Sequence, residues 1–214
     1  MIKGDMYLQK QKKYEDYAYV LDVVEATLLR SSGRHVNLHK GELLLQLLGE
    51  EYFTLLEAAI NENYRPSVGI RLYIGKDVPR SILRILGRIS YDELTENAKI
   101  ELENVVQKIV QTNEQKFVNF FNTCTPISPR LHALELIPSI GKKSMQKILE
   151  EREKKPFESF KDLHERGGLA DPVKAITKRI MDELTGKDSR YFLLVREPSG
   201  TMSEKFPKKG GPSA

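Results

Sequence analysis

The hydrophobic period changes partway along this chain, and that change limits the folds open to it. From Ser67 to Ile74, Val68, Ile70, Leu72 and Ile74 alternate with Gly69, Arg71 and Tyr73. This is the period of two expected of a strand, whose successive side chains point to opposite faces. From Asp92 the spacing switches. Ile100, Leu102, Val105, Val106, Ile109 and Val110 recur at helical spacing behind Thr95, a good helix cap. Beta structure therefore gives way to alpha within 214 residues, enough for one large or two small domains.

The β half begins after a polar arm over residues 1–15. Tyr17 to Glu25 is dense in β-branched and aromatic residues and runs toward a turn at Ser31-Ser32-Gly33, so it predicts a strand. Gly41 to Gly49 and Tyr52 to Ile60 are read as strands too, although Leu43, Leu44, Leu47 and Leu48 also fit a helix face. The Ser67 to Ile74 strand closes at Gly75-Lys76. Short strands separated by turns predict a β-barrel over residues 16–94.

Residues 95–128 read as a helical connector, with a second helix from Asn113 to Asn122 carrying Phe117, Val118, Phe120 and Phe121. Thr125-Pro126-Ile127-Ser128-Pro129 then breaks the chain, because each proline fixes its own φ and disfavours helix before it. A module boundary is placed there. Residues 129–187 form a weak internal repeat of two helix-turn-helix units, Arg130–Ile137 with Lys142–Glu153 and Phe160–Arg166 with Val173–Leu184. Residues 188–198, centred on Tyr191 to Val195, are read as a strand added to the barrel or a segment that docks on a partner. The Gly, Ser, Pro and Lys content of residues 199–214 predicts a disordered tail whose Lys205, Lys208 and Lys209 attract anions.

Composition narrows function only a little. The chain is 40% hydrophobic, as a protein with real cores requires, and 34 basic against 30 acidic residues leave a net charge of +4. That balance admits a polyanionic partner without demanding one. A single cysteine, Cys124, makes no internal disulfide, and no secretory leader pattern opens the sequence, so a reducing cytoplasm is expected. The richest apolar stretch, Glu42 to Ile60, is interrupted by Gln46, Gly49, Glu50 and Glu51, well short of the roughly 20 residues a membrane span needs.

The chemistry concentrates in Leu134-Glu135-Leu136-Ile137-Pro138-Ser139-Ile140-Gly141-Lys142-Lys143-Ser144. A nucleotide loop of the Walker type needs a glycine five residues before the Gly-Lys pair and a hydroxyl directly after the lysine. Here Leu136 and Lys143 occupy those positions, which excludes that loop. The segment instead resembles the helix-hairpin-helix motif, with Leu134, Ile137, Pro138, Ile140, Gly141, Ser144 and Ile148 in its slots. A helix starting near Lys142 presents free N–H groups and the positive end of its dipole to an anion. Pro138, Ser139, Ile140 and Gly141 shape the turn, and Lys142, Lys143 and Lys147 add charge. Such a site grips a phosphodiester without reading a base. Ser139 stands where the motif commonly has its first glycine, and a serine hydroxyl is a phosphate donor in its place. Phe157, Phe160 and Leu163 make the second unit a structural partner. Residues 130–188 hold 13 basic and 11 acidic residues, so the binding face is local to the hairpin.

Beyond the hairpin, Asp16-Tyr17-Ala18-Tyr19-Val20-Leu21-Asp22, Gly49-Glu50-Glu51-Tyr52-Phe53-Thr54-Leu55-Leu56-Glu57, Tyr73-Ile74-Gly75-Lys76 and Arg88-Ile89-Ser90-Tyr91-Asp92-Glu93-Leu94-Thr95 make the chain resemble an archaeal family catalogued as a domain of unknown function. The resemblance covers roughly residues 16–195. It implies an α+β multidomain fold: an OB-like β-barrel, a helical connector and a C-terminal helix-hairpin-helix domain. It also implies a nucleic-acid-binding role that favours RNA over DNA, beside ribosome- or RNA-polymerase-associated proteins, with no enzymatic activity. On such a barrel Tyr73, flanked by Arg71 and Lys76, is the aromatic best placed to stack on a base. His35 and His39 lack a cysteine or carboxylate at ligand spacing and His132 and His164 stand alone, so neither a metal nor a cofactor is expected. The alternative to nucleic-acid binding is a protein adaptor of the translation or transcription machinery.

Overall fold

The computed structural model describes residues 14–25, 36–187 and 190–197. The arm before Tyr14, the Ser31-Ser32-Gly33 turn, His35 and the tail after Glu197 lie outside the described residues. Five strands, β1 (Tyr17–Val24), β2 (Glu42–Gly49), β3 (Leu55–Asn61), β4 (Arg71–Tyr73) and β5 (Leu83–Arg88), form one antiparallel sheet in the order β4-β1-β2-β3-β5.

β2 explains the ambiguity of the leucine run. Leu43, Leu45 and Leu47 face an inner cluster with Val20, Ala58 and Leu83, whereas Leu48 faces a second cluster beneath the helices. Burial on both faces removes the alternation that marks a half-buried strand. On the helix side Gln46 is fully buried. Its Nε2 donates to Glu57 Oε1 (3.1 Å) and the Glu93 carbonyl (3.0 Å), and its Oε1 accepts from the Thr95 N–H at 2.8 Å. One glutamine thus binds the sheet to the start of the first helix.

The expected barrel is corrected to a curled, open sheet. Residues from or beside all five strands enclose the inner cluster, but β4 and β5 are not paired. The strand read over Ser67 to Ile74 survives only as Arg71–Tyr73, because the chain turns at Val68-Gly69, where Gly69 has φ +77°. β5, which no period in the sequence announced, is the opposite edge among the described residues.

The α half comprises α1 (Glu96–Thr112), α2 (Glu114–Thr123), α3 (Lys142–Lys154), α4 (Phe160–Glu165) and α5 (Pro172–Leu184). The helix expected over Arg130–Ile137 is instead β7 (Leu131–His132), paired with β6 (Pro126–Ser128), followed by a 3-10 turn over Ala133–Leu136. The buried His132 is the reason. Its Nδ1 accepts from the Leu134 N–H (3.1 Å) while its own N–H donates to Glu135 (2.9 Å), which caps a tight turn that Pro138 prevents from lengthening.

The module boundary placed near Pro129 is not a break in packing. One cluster runs from Tyr19, Leu21 and Phe53 of the sheet half through Val105 and Ile109 of α1 to Leu134, Ile148 and Ile180. Nor is the C-terminal segment a strand. The N–H groups of Leu193, Leu194 and Val195 donate to the Glu183 carboxylate (3.0, 3.1 and 2.8 Å), so they are not offered to a neighbouring strand.

At the other end of the chain Glu15, assigned to a loose arm, is buried. Its carboxylate accepts from the backbone N–H groups of Glu51 (2.9 Å), Tyr52 (3.1 Å) and Thr54 (3.2 Å) and so holds the β2–β3 turn. In that turn Phe53 adopts φ +53°, an unusual conformation for a bulky residue, with its ring fully buried. A Cβ on Gly49 would lie 2.1 Å from Glu15 Cδ. Gly49→Ala is therefore expected to expel the carboxylate, strip these N–H groups and cost about 2 kcal/mol. Urea denaturation of Gly49→Ala, Glu15→Ala and the double variant checks this, because two changes that break the same hydrogen bonds are expected to be strongly non-additive.

Candidate nucleic-acid interface

Pro138 to Lys143 form a tight turn between the 3-10 segment and α3. The Ile137 N–H donates to Leu134 O and the Ile140 N–H to Ile137 O, both at 3.1 Å. Ile137 and Ile140 are buried and anchor the turn, leaving Ser139, Gly141, Lys142 and Lys143 exposed and Pro138 half-buried. Ser139 has φ +72°, the left-handed conformation that favours glycine. The residue that departs from the motif thus keeps the backbone shape its glycine would supply.

α3 starts bare. Its N-cap is Gly141, no side chain caps it, and no acid stands in its first turn. Among the described residues Lys142 and Lys143 have no salt bridge. A Cβ on Gly141 would meet nothing within 4 Å, so the space in front of the helix is open. The equivalent turn of the second unit is built differently. There Gly168 takes φ +74° and Leu169 is buried like Ile140, but Asp171 caps α5 by accepting from the Lys174 N–H (2.9 Å), and Pro172 removes one donor. A carboxylate already occupies that helix end and repels a phosphate. Lys147 Nζ lies 3.0 Å from where a Cβ on Gly168 would stand, so this lysine leans over the second turn.

Arg152 and Arg166 act inside the protein. Arg152 Nη1 donates to Phe121 O (2.9 Å) and Cys124 O (3.0 Å), joining α3 to the end of α2. Arg166 makes a forked pair with Asp162 (2.6 and 2.9 Å), bonds Lys155 O and lies over the Phe157 ring. The exposed positive charge of the hairpin therefore comes from lysine. Hydrogen bonds from Arg166 hold the Asp162 carboxyl down to about 2 from its ordinary 3.8. Because the folded value lies below the unfolded one, this stabilisation is complete above pH about 4 and disappears as pH falls toward 2. Asp162→Asn is expected to lower the melting temperature at pH 7 and to flatten its fall across that acid window in a series of thermal melts.

Tyr73 and Arg71 are not on the hairpin surface but on the edge strand β4. Tyr73 is exposed, packs against the Tyr17 ring (centroids 5.2 Å apart) and donates to Asp77 at 3.3 Å. Arg71 is engaged: its guanidinium forks onto Glu50 Oε2 (2.9 and 2.7 Å) and sits 3.5 Å over the Tyr17 ring. Arg71 thus positions Tyr17 and holds a charge already paired. Reading the sequence missed Tyr14 as an exposed ring and Arg80, Arg84 and Arg88 as a basic series continuing from Lys76 at a spacing of four. Among the described residues no group of three or more His, Cys, Asp or Glu is arranged to hold a metal, and no helix is long and apolar enough to cross a membrane.

An open, curled five-stranded antiparallel sheet sharing its core with a helical half defines a mixed α+β protein. The chain belongs to the DUF655 family, described as a protein of unknown function, whose family model matches residues 14–196. It is 44% identical over 194 residues to the uncharacterized protein MJ0038 of Methanocaldococcus jannaschii, covering 90% of this chain and 85% of that one. It is also similar to the crystal structure of Af1531 from Archaeoglobus fulgidus, another member of the family, at 41% identity and a TM-score of 0.71, covering 85% of this chain and all of that one.

Proposed function

We propose that this protein is a non-enzymatic, cytoplasmic nucleic-acid-binding protein that grips the phosphate backbone at the turn from Pro138 to Lys143. In this reading the α half is a helix-hairpin-helix domain and the curled sheet is an opened OB-like barrel. The observation that carries it is the contrast between the two helix starts. α5 is closed by Asp171 and Pro172, whereas α3 begins at an uncapped glycine followed by two exposed lysines. Free N–H groups, the helix dipole and mobile ammonium groups at one convex turn suit a phosphodiester and make no distinction among bases. The preference for RNA over DNA rests on the family resemblance alone.

For the adaptor alternative, the backbone N–H groups of Leu193 to Val195 are bound to Glu183 of the same chain, so docking there by strand addition is disfavoured. A titration of the full chain against single- and double-stranded RNA and DNA at several salt concentrations tests the proposal. Affinity that falls steeply with salt and varies little with sequence is the expected result. No binding to any of the four at low salt overturns it.

A further inference from the structure

β4 and β5 are the two edges of the sheet among the described residues, and they are built differently. β5 carries Arg84 and Arg88, and Leu86 is an extra residue in its pairing with β3. Charges and a bulge are devices that keep a sheet edge solitary. β4 pairs with β1 in unbroken register, Tyr17 with Tyr73, Ala18 with Leu72 and Tyr19 with Arg71. Its one charged side chain, Arg71, is bridged to Glu50 at 2.7 Å and lies over the Tyr17 ring, so that charge is compensated within the chain.

The backbone at this edge is set up to pair again. The Ile74 N–H donates to Asp16 O (2.8 Å) and the Val20 N–H to Ile70 O (3.0 Å), so Ile70, Leu72 and Ile74 bond toward β1. In an antiparallel ladder the residues between them point their N–H and C=O groups the other way, which turns those of Arg71 and Tyr73 outward. Tyr17, Val68, Ile70 and Tyr73 beside them are four of the nine large apolar side chains exposed among the described residues. One short edge thus gathers the apolar surface that a solitary edge sheds.

We infer that this edge joins two copies of the chain, β4 against β4 and antiparallel, about a two-fold axis at Leu72. Across that axis Arg71 of one copy stands opposite Tyr73 of the other, twice, and each pair exchanges two backbone hydrogen bonds. All the outward groups of Arg71 and Tyr73 are then satisfied. On one face each guanidinium meets a ring whose hydroxyl donates to the exposed Asp77, and no like charges are opposed. On the other face Leu72 meets its own copy, with Ile70 diagonally across from it. Read across the axis, Arg71-Leu72-Tyr73 sets cation against aromatic at both ends, so the edge is complementary to itself.

The inference goes beyond nucleic-acid binding and does not depend on it. Sedimentation velocity of the full chain, without nucleic acid, is expected to show a monomer–dimer equilibrium between about 1 and 100 μM, as suits a small interface. Tyr73→Lys places a cation opposite Arg71 at both ends and is expected to weaken the dimer about tenfold. Its melting temperature is expected to change by no more than a few degrees, because the ring it removes is exposed. A Leu72→Cys, Cys124→Ser variant tests the register even if Tyr73→Lys fails to fold. The two copies of position 72 form a non-hydrogen-bonded pair with Cα atoms about 4.5 Å apart, within reach of a disulfide. On mild oxidation it is expected to form a covalent dimer at least about tenfold faster than Lys161→Cys, Cys124→Ser, whose cysteine replaces an exposed side chain of α4. A chain that stays monomeric at about 100 μM overturns the inference. So does a dimer that a folded Tyr73→Lys leaves intact, or cross-linking at position 72 no faster than at position 161.

Discussion

Replacing Lys142 and Lys143 together with glutamate is expected to lower the affinity for every nucleic-acid ligand on the order of a hundredfold at moderate salt, and alike for all sequences. Both side chains are exposed and neither enters a salt bridge among the described residues, so the change removes charge without removing a structural tie. It places two carboxylates at an uncapped helix start. The dipole and the free N–H groups then find an anion within the chain, as α5 already does with Asp171. The slope of log affinity against log salt is expected to shrink by about two, one released counterion for each phosphate that the variant no longer neutralises. Anisotropy titrations at several salt concentrations measure both quantities, and thermal melting is expected to show an unchanged or slightly more stable fold, since acids near a helix N-terminus are favourable. Unaltered affinity would remove the hairpin from the binding surface.

The largest effect on stability is expected from Arg179→Ala, a loss of about 3–5 kcal/mol. Arg179 and Glu183 are a buried pair, with side chains 3% and 0% exposed and Nε donating to Oε1 at 2.7 Å. Arg179 also donates to Leu136 O (3.3 Å), at the entry to the hairpin, and to Tyr191 O, while Glu183 accepts the three N–H groups of the C-terminal segment. Truncating the arginine leaves a buried carboxylate uncompensated and two carbonyls without their donor. Arg179→Lys keeps the charge but not the planar fork, and an intermediate loss is expected. Urea denaturation of the two variants checks the order. Because Leu136 leads directly into Ile137 and Pro138, Arg179→Ala is also expected to weaken nucleic-acid binding although Arg179 touches no ligand.

Elements whose burial is one-sided were legible in the sequence. The α1 stripe from Leu102 to Val110 packs toward the sheet and α5, and α3 begins at Lys142, where its start was expected. The errors cluster where a local signal met a long-range interaction. The Arg130–Ile137 helix was replaced because a buried His132 closes a tighter turn. The C-terminal strand was replaced because Glu183, ten to twelve residues earlier, takes its amides. Glu15 looked like part of a polar arm because nothing near it in sequence reveals a turn more than thirty residues away that needs an acceptor.

By itself the sequence determined the order of the halves and the helix start at Lys142 with its lysines, because hydrophobic period and helix-start chemistry act over a few neighbouring residues. Only the tertiary structure decided that the sheet stays open and that Arg152, Arg166 and Arg179 are internal ties. It alone brought Tyr17, Arg71 and Tyr73 together at the β4 edge. The reason is range: sheet closure, the pairing of buried charge and the make-up of a sheet edge depend on which distant segments meet, and no pattern within a short window encodes that meeting.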